Sequence, residues 1–149
     1  AFAQLPKAAA KATLTRILKM AALPVAVDAA RNAPRDSDGD GAHLADSIAI
    51  STNLKATQRS HRVRAGGVEV FIGPRVRHAH LVEFGTGPRY TKKGKFLGRT
   101  PPNGFMRRAW DANKDRVLEI VRGEVWNELK RTARSLRRRA EKYRRTAGG

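Results

Sequence analysis

A chain of 149 residues suits one domain that buries roughly 70% of its unfolded surface, but only 40% of the residues are hydrophobic and 6% aromatic, so a thin core of Ala, Val, Leu and Ile is expected. The charge, 31 Lys+Arg against 13 Asp+Glu or +18 at pH 7, calls for a polyanionic or strongly acidic partner. The absence of cysteine excludes disulfides, thiolate metal sites and cysteine nucleophiles. No apolar run approaches the ~18 residues of a membrane span, and Lys7, Lys11, Arg16 and Lys19 interrupt every candidate signal-peptide stretch.

Residues 4–32 read as a helix, because Leu14, Ile17, Leu18, Ala21 and Val25 recur at helical spacing. Pro24 sits inside that pattern and is expected to kink or split it. Residues 33–43 are a loop, and Leu44 to Asp46 allow one helical turn. Ile48 and Ile50 alternate with Ala49 and Ser51, which predicts a strand with one buried face. Residues 53–58 are polar and loop-like. Arg59 to Ala65 and Val68 to Ile72 flank Gly66-Gly67, a hairpin signal because glycine accepts the positive φ of tight turns. Val68, Val70 and Ile72 are expected to share a face, with Gly73-Pro74 ending the strand.

Residues 78–84 fit a short helix or a further strand. Residues 85–104 form a long Gly- and Lys-rich loop, and loops of that length usually carry a function or are disordered. From Phe105 to about Tyr143 the pattern is helical, with Trp110, Val117, Val121, Val125, Leu129 and Leu136 on one face and Gly123 as a weak point. The order predicts an α+β fold, a small mainly antiparallel sheet packed with an N-terminal helix and a long C-terminal helix. Residues 1–130 are read as one domain and 131–149 as a basic helical extension.

Asp36-Ser37-Asp38-Gly39-Asp40-Gly41 matches the opening of a calcium loop, but position twelve is Ser47 where a bidentate Glu is required. A solvated turn-rich loop is the better reading. His78, His80 and Glu83 lack a further ligand at metal spacing. Gly94-Lys95 is followed by Phe96, so the phosphate-loop pattern fails. No cofactor, metal or catalytic constellation is expected, and the chain is read as a non-enzyme.

Two basic clusters remain. The loop carries Arg89, Lys92, Lys93, Lys95 and Arg99. The last helix carries Lys130, Arg131, Arg134, Arg137, Arg138, Arg139, Lys142, Arg144 and Arg145, with Glu141 the only acid after Glu128. Nine cations in sixteen residues must wrap the helix and repel one another unless anions quiet them. Without interleaved aromatics a base-stacking platform is not expected, and any DNA contact would be to the backbone and salt-sensitive.

Motifs in order carry a resemblance: Ala33-Pro34-Arg35-Asp36; Gly41-x-x-Leu44-x-x-Ser47-Ile48; the Gly-linked hairpin ending at Ile72-Gly73-Pro74; His80-Leu81-Val82-Glu83-Phe84-Gly85-Thr86; and Pro102-x-x-Phe105-Met106-Arg107-x-Ala109-Trp110. Over roughly residues 5–130 the chain resembles the neck or tail-completion proteins of long-tailed bacteriophages, whose architecture recurs in tail-terminator and head-closure proteins and in gene-transfer particles. The Asp/Gly run after Pro34 is longer than the family's short Asp-Thr-Gly turn, and the basic extension also looks long. The resemblance implies a non-enzymatic virion subunit assembled in the host cytoplasm. It implies a homo-oligomeric ring, hexameric or dodecameric, at the head–tail junction. Its neighbours would be neck, tail-tube or portal-adaptor proteins, with DNA in the channel and no membrane. Ring-interface candidates are His80, Glu83, Phe84, Thr86, Arg89, Tyr90, Lys92, Lys93, Lys95, Phe105 and Arg107. The 85–104 loop is the candidate arm, expected to order only on assembly. The basic helical residues are candidates for DNA phosphates or an acidic ring. Net charge also fits a stand-alone nucleic-acid-binding protein.

Overall fold

The computed structural model describes residues 7–35, 43–54 and 67–147. Two antiparallel helices form its spine, α1 (Lys7–Asn32) and α3 (Phe105–Ala147). At 1.5 Å per residue they measure about 39 Å and about 65 Å. Between them in sequence lie a 3-10 turn (Ala45–Ser47), strands β1 (Ile48–Ser51) and β2 (Phe71–Pro74), the short helix α2 (Ala79–Phe84), and strands β3 (Arg89–Tyr90) and β4 (Phe96–Gly98). β1 pairs with β2 and β3 with β4, both antiparallel, giving two separate two-stranded sheets. The class is α+β, as the sequence predicts.

The spine is a seam of small side chains at four-residue spacing. Ile17, Ala21, Val25 and Ala29 of α1 are buried, as are Phe105, Ala109 and Asn113 of α3. Alanine at Ala21, Ala29 and Ala109 lets the helix ridges interdigitate closely. The core is alanine-rich, and its largest fully buried side chain is Phe105, clustered with Val25, Ala29, Ala33, Leu44, Ala45, Ala79 and Ala109. Asn113, the one buried polar side chain among the described residues, donates to Asp28 Oδ2 at 2.6 Å and to the Ala109 carbonyl at 2.9 Å. That donor would cost about 1–3 kcal/mol if left unpaired, so Asp28 and Asn113 fix one register of the two helices. Arg16 and Glu128, 3.5 Å apart and further along the seam, keep the same antiparallel sense.

Several expectations change. α1 runs unbroken through Pro24. Proline removes one helical hydrogen bond, but the buried residues Ile17, Ala21, Val25 and Ala29 hold the helix on both sides of it. β2 lies at Phe71–Pro74, so Gly73 and Pro74 are inside it, opposite Ala49 and Ile48. The predicted partner strand at 59–65 and the candidate calcium loop at 36–41 lie outside the described residues. All four residues of β1 are half-buried instead of alternating. Residues 78–84 resolve to a helix, and the 85–104 segment holds a hairpin of its own where an open loop was expected. Trp110 is 49% exposed, off the seam, because the register is set by Phe105, Ala109 and Asn113.

Two glycines should respond in opposite directions. Gly85 has φ 75° and ψ −176°, and a Cβ there would lie 2.7 Å from the Thr100 carbonyl and 2.8 Å from the Pro102 nitrogen. Gly123 sits within α3 with open space around its missing Cβ. Gly85→Ala should therefore lower unfolding stability by about 2 kcal/mol or more, and Gly123→Ala should raise it by ~0.5–1 kcal/mol. Denaturant unfolding of the two variants beside the parent checks both signs.

Candidate functional site

The motif His80–Thr86 and the motif Pro101–Asp111 meet at one joint. α2 ends where α3 begins, and Glu83 makes the connection. Its Oε2 accepts the Met106 N–H at 2.9 Å and its Oε1 the Arg107 N–H at 3.1 Å. The first turn of a helix has N–H groups without helical partners and a positive dipole end. α3 has no acidic residue in its own first turn, so a carboxylate more than twenty residues upstream supplies both acceptors. The backbone follows the same route: Asn103 N–H donates to Val82 O at 2.9 Å and Gly104 N–H to Glu83 O at 3.1 Å. On the other side, Arg108 reaches the Asn32 carbonyl at the end of α1 (3.3 Å) and Asn103 Oδ1 (2.9 Å).

From this joint the β3–β4 hairpin projects. Gly85 turns the chain, and Thr86 and Thr100 then bond twice, N–H to carbonyl at 2.9 Å and N–H to hydroxyl at 3.0 Å. Tyr90 and Phe96 pair their rings at 5.4 Å, tilted by 56°. Thr91 closes the tip, bonding to Lys95 through both its N–H and its hydroxyl. An irregular register between Arg89 and Tyr90 leaves Leu97 as a bulge. Phe84, Tyr90, Phe96 and Leu97 are exposed, so the arm presents apolar surface beside the exposed cations Arg89, Lys92, Lys93, Lys95 and Arg99. Next to its base lies a groove of about 1120 Å³, lined by Phe71, Ile72, His80, Phe84 and Met106 among others.

The structure sorts the interface candidates. Phe84, Arg89, Tyr90, Lys92, Lys93 and Lys95 are exposed on or beside the arm, and His80 and Arg107 are exposed at the joint. Phe105 is withdrawn from the set, because it is 0% exposed at the centre of the core. Glu83 and Thr86 are half-buried, and within the chain their polar groups serve the cap and the hairpin base. His80 Nδ1 lies 2.8 Å from the Arg77 carbonyl. Among the described residues no three His, Cys, Asp or Glu side chains gather as metal ligands, and no helix is long and apolar enough to cross a membrane.

The second basic cluster is remote. Leu136 is the last half-buried residue of α3, and residues 137–147 are exposed all round. Arg145 lies about 60 Å along the helix from Phe105. Arg131 pairs with Glu128 at 3.6 Å and Arg137 with Glu141 at 3.0 Å, and Lys130 lies 5.4 Å over the Trp126 ring. Arg134, Arg138, Arg139, Lys142, Arg144 and Arg145 have no ion pair among the described residues. Arg131, Arg134, Arg138, Arg139 and Lys142 line a shallow trough of about 410 Å³. Exposed pairs contribute little to stability, so the charge at this end does little to hold the fold.

Removing the cap should separate its role from a surface role. Glu83→Ala is expected to cost about 1–2 kcal/mol of unfolding stability, the usual range for a lost helix cap, with Glu83→Gln intermediate. Stability unchanged in Glu83→Ala by denaturant titration would contradict the assignment.

A family model described as "Bacteriophage HK97-gp10, putative tail-component" matches residues 1–85. The match covers α1, the β1–β2 sheet and α2, and ends at the turn of the joint. Neither the curated proteins nor the solved structures give a significant match. With more than half of its 149 residues matched, the chain belongs to the HK97 gp10-like family of bacteriophage tail components, structural parts of the virion.

Proposed function

We propose that this tail component is a non-catalytic ring subunit at the head–tail junction, acting in neck, tail-completion or tail-terminator position to join the tail to the DNA-filled head. The observation that carries the reading is the β3–β4 arm. It is built outward from a capped joint, exposes Tyr90, Phe96 and Leu97 to solvent, and ends in lysines. A monomer gains nothing from such a hairpin, whereas a ring subunit can lay it on a neighbour. The groove lined by Phe71, Ile72 and Met106 has the apolar chemistry to receive it. The ring would be hexameric or dodecameric, stacked between portal-adaptor or neck proteins and the tail tube, and assembled in the host cytoplasm.

In this reading residues 1–130 form the ring body, and the 131–149 extension meets DNA phosphates or an acidic neighbouring ring. A helix with cations all round suits backbone contact and not base readout. The unpaired arginines also suit a stand-alone nucleic-acid-binding protein, which must hold duplex DNA by itself at physiological salt. The junction subunit is expected to bind it poorly when isolated.

Electron microscopy of particles made without this chain tests the position. Separate full heads and free tails are expected; intact joined particles would overturn the proposal. Deleting residues 131–149 should leave the fold intact but reduce joined, DNA-retaining particles, measured by particle counts and infectivity. Undiminished infectious yield from the truncated chain would remove the role given to the basic helix.

A further inference from the structure

α1 carries a second groove, unrelated to the arm. It has a volume of about 870 Å³ and lies between the outer face of the helix and Ile50 of β1, with Met20 and Leu23 as its apolar floor and Lys11, Arg16 and Lys19 as its rim. Lys11, Thr15, Lys19 and Leu23 recur every four residues. Thr15, Lys19 and Leu23 each lie two residues, or about half a turn, from the buried Ile17–Ala21–Val25 seam, and Lys11 continues their row one turn further toward the N-terminus. The groove therefore looks away from the core. Arg16 is engaged with Glu128, whereas Lys11 and Lys19 have no ion pair among the described residues.

α3 presents the complement. Asp111, Asp115 and Glu119 also recur every four residues, two residues out of step with Ala109, Asn113 and Val117, so they too face away from the spine. In a chain with only 13 acidic residues, three in one exposed row make a local negative stripe on a cationic molecule. None of the three makes an ion pair among the described residues, although Lys114, Arg116 and Arg122 flank them. Leu118, 53% exposed, lies beside the stripe. Asp111 to Glu119 spans eight residues, as does Lys11 to Lys19, about 12 Å in each case. One surface is apolar with a positive rim; the other is negative with an apolar flank. They occupy opposite outer faces of the same two-helix layer.

We infer that a second copy of this chain docks its Asp111–Asp115–Glu119 stripe into the Lys11–Lys19 groove of the first. This contact is heterologous, since each copy offers a different face to each neighbour. Repetition closes a ring if the rotation allows, continuing the α1–α3 layer from subunit to subunit. The inference rests on the ring reading above and names the faces that would form the ring. A negative stripe meeting a positive rim also disfavours the reversed, stripe-to-stripe dimer.

Charge exchange tests it on the full chain. One variant carries Asp111→Lys, Asp115→Lys and Glu119→Lys; the other carries Lys11→Glu and Lys19→Glu. All substituted positions are exposed, and far-ultraviolet circular dichroism verifies each fold. Sedimentation velocity should show an oligomer for the parent, a monomer for each variant alone, and restored oligomer in their equimolar mixture, where positive stripes meet negative grooves. If either variant assembles like the parent, or the mixture stays monomeric, this interface is wrong while the ring reading stands. A parent that is monomeric at every concentration would overturn both. As a second measurement in this cysteine-free chain, Thr15→Cys and Asp115→Cys proteins should form a disulfide-linked dimer when mixed and oxidised, and none when oxidised singly. Failure of the mixed pair to link, with oligomer present, counts against the interface.

Discussion

The Glu83 carboxylate sits where three parts of the chain converge. It ends α2, it caps α3 through Met106 and Arg107, and it lies two residues before the turn that launches the β3–β4 arm. A helix of 43 residues with no acidic residue in its first turn begins on unpaired N–H groups. The cap satisfies two of them and places a negative charge at the positive end of the dipole. Phe105, one residue before the capped amides, is then driven into the core between Val25, Ala29 and Ala79. Capping and burial reinforce each other at one point, and the direction of α3 follows from that point.

What the joint fixes, the rest of the molecule projects. In one direction the arm carries exposed aromatic surface and lysines. In the other, α3 has its last half-buried residue at Leu136 and continues as an exposed, cation-rich rod. The body between is thin, with seven alanines among the eleven buried hydrophobic residues of the described segments, so little of its stability comes from large side chains. Such a chain invests its surface, not its core, in function. Positive charge at both extremities and a negative row midway along α3 give it faces of different sign, the complementarity on which the proposed contact between copies rests.

Much of this was legible in the sequence. The helical stripe Leu14–Val25 marked α1, the alternation at Ile48–Ser51 marked a strand, and the pattern from Phe105 marked the long helix. The two motifs around Glu83 and Phe105 stood out, but their relation did not. A cap donated by a carboxylate twenty-three residues upstream has no local periodicity to reveal it. Phe105 stands among the interface candidates that the family resemblance implies; its burial depends on α1, which is distant in sequence. Trp110 fits the apolar face by its seven-residue spacing from Val117, but the close helix pair buries the small residues Ala109 and Asn113 instead. The Gly66-Gly67 signal drew β2 three residues too early, since the pairing with β1 decides its extent. The groove on α1 has no sequence signal, because its floor of Met20 and Leu23 becomes a groove only with Ile50, some thirty residues away, beside it.

The most direct test of the joint is amide hydrogen exchange on the isolated full chain. The amides of Met106 and Arg107, capped by Glu83, and those of Thr86 and Thr100 at the arm's base should be slow in the parent. In Glu83→Gln all four should quicken together while the Ala21–Ala29 amides of α1 stay slow. If Met106 and Arg107 exchange at the rate of free amides in the parent, or if Glu83→Gln leaves all four unchanged, the carboxylate does not hold the joint.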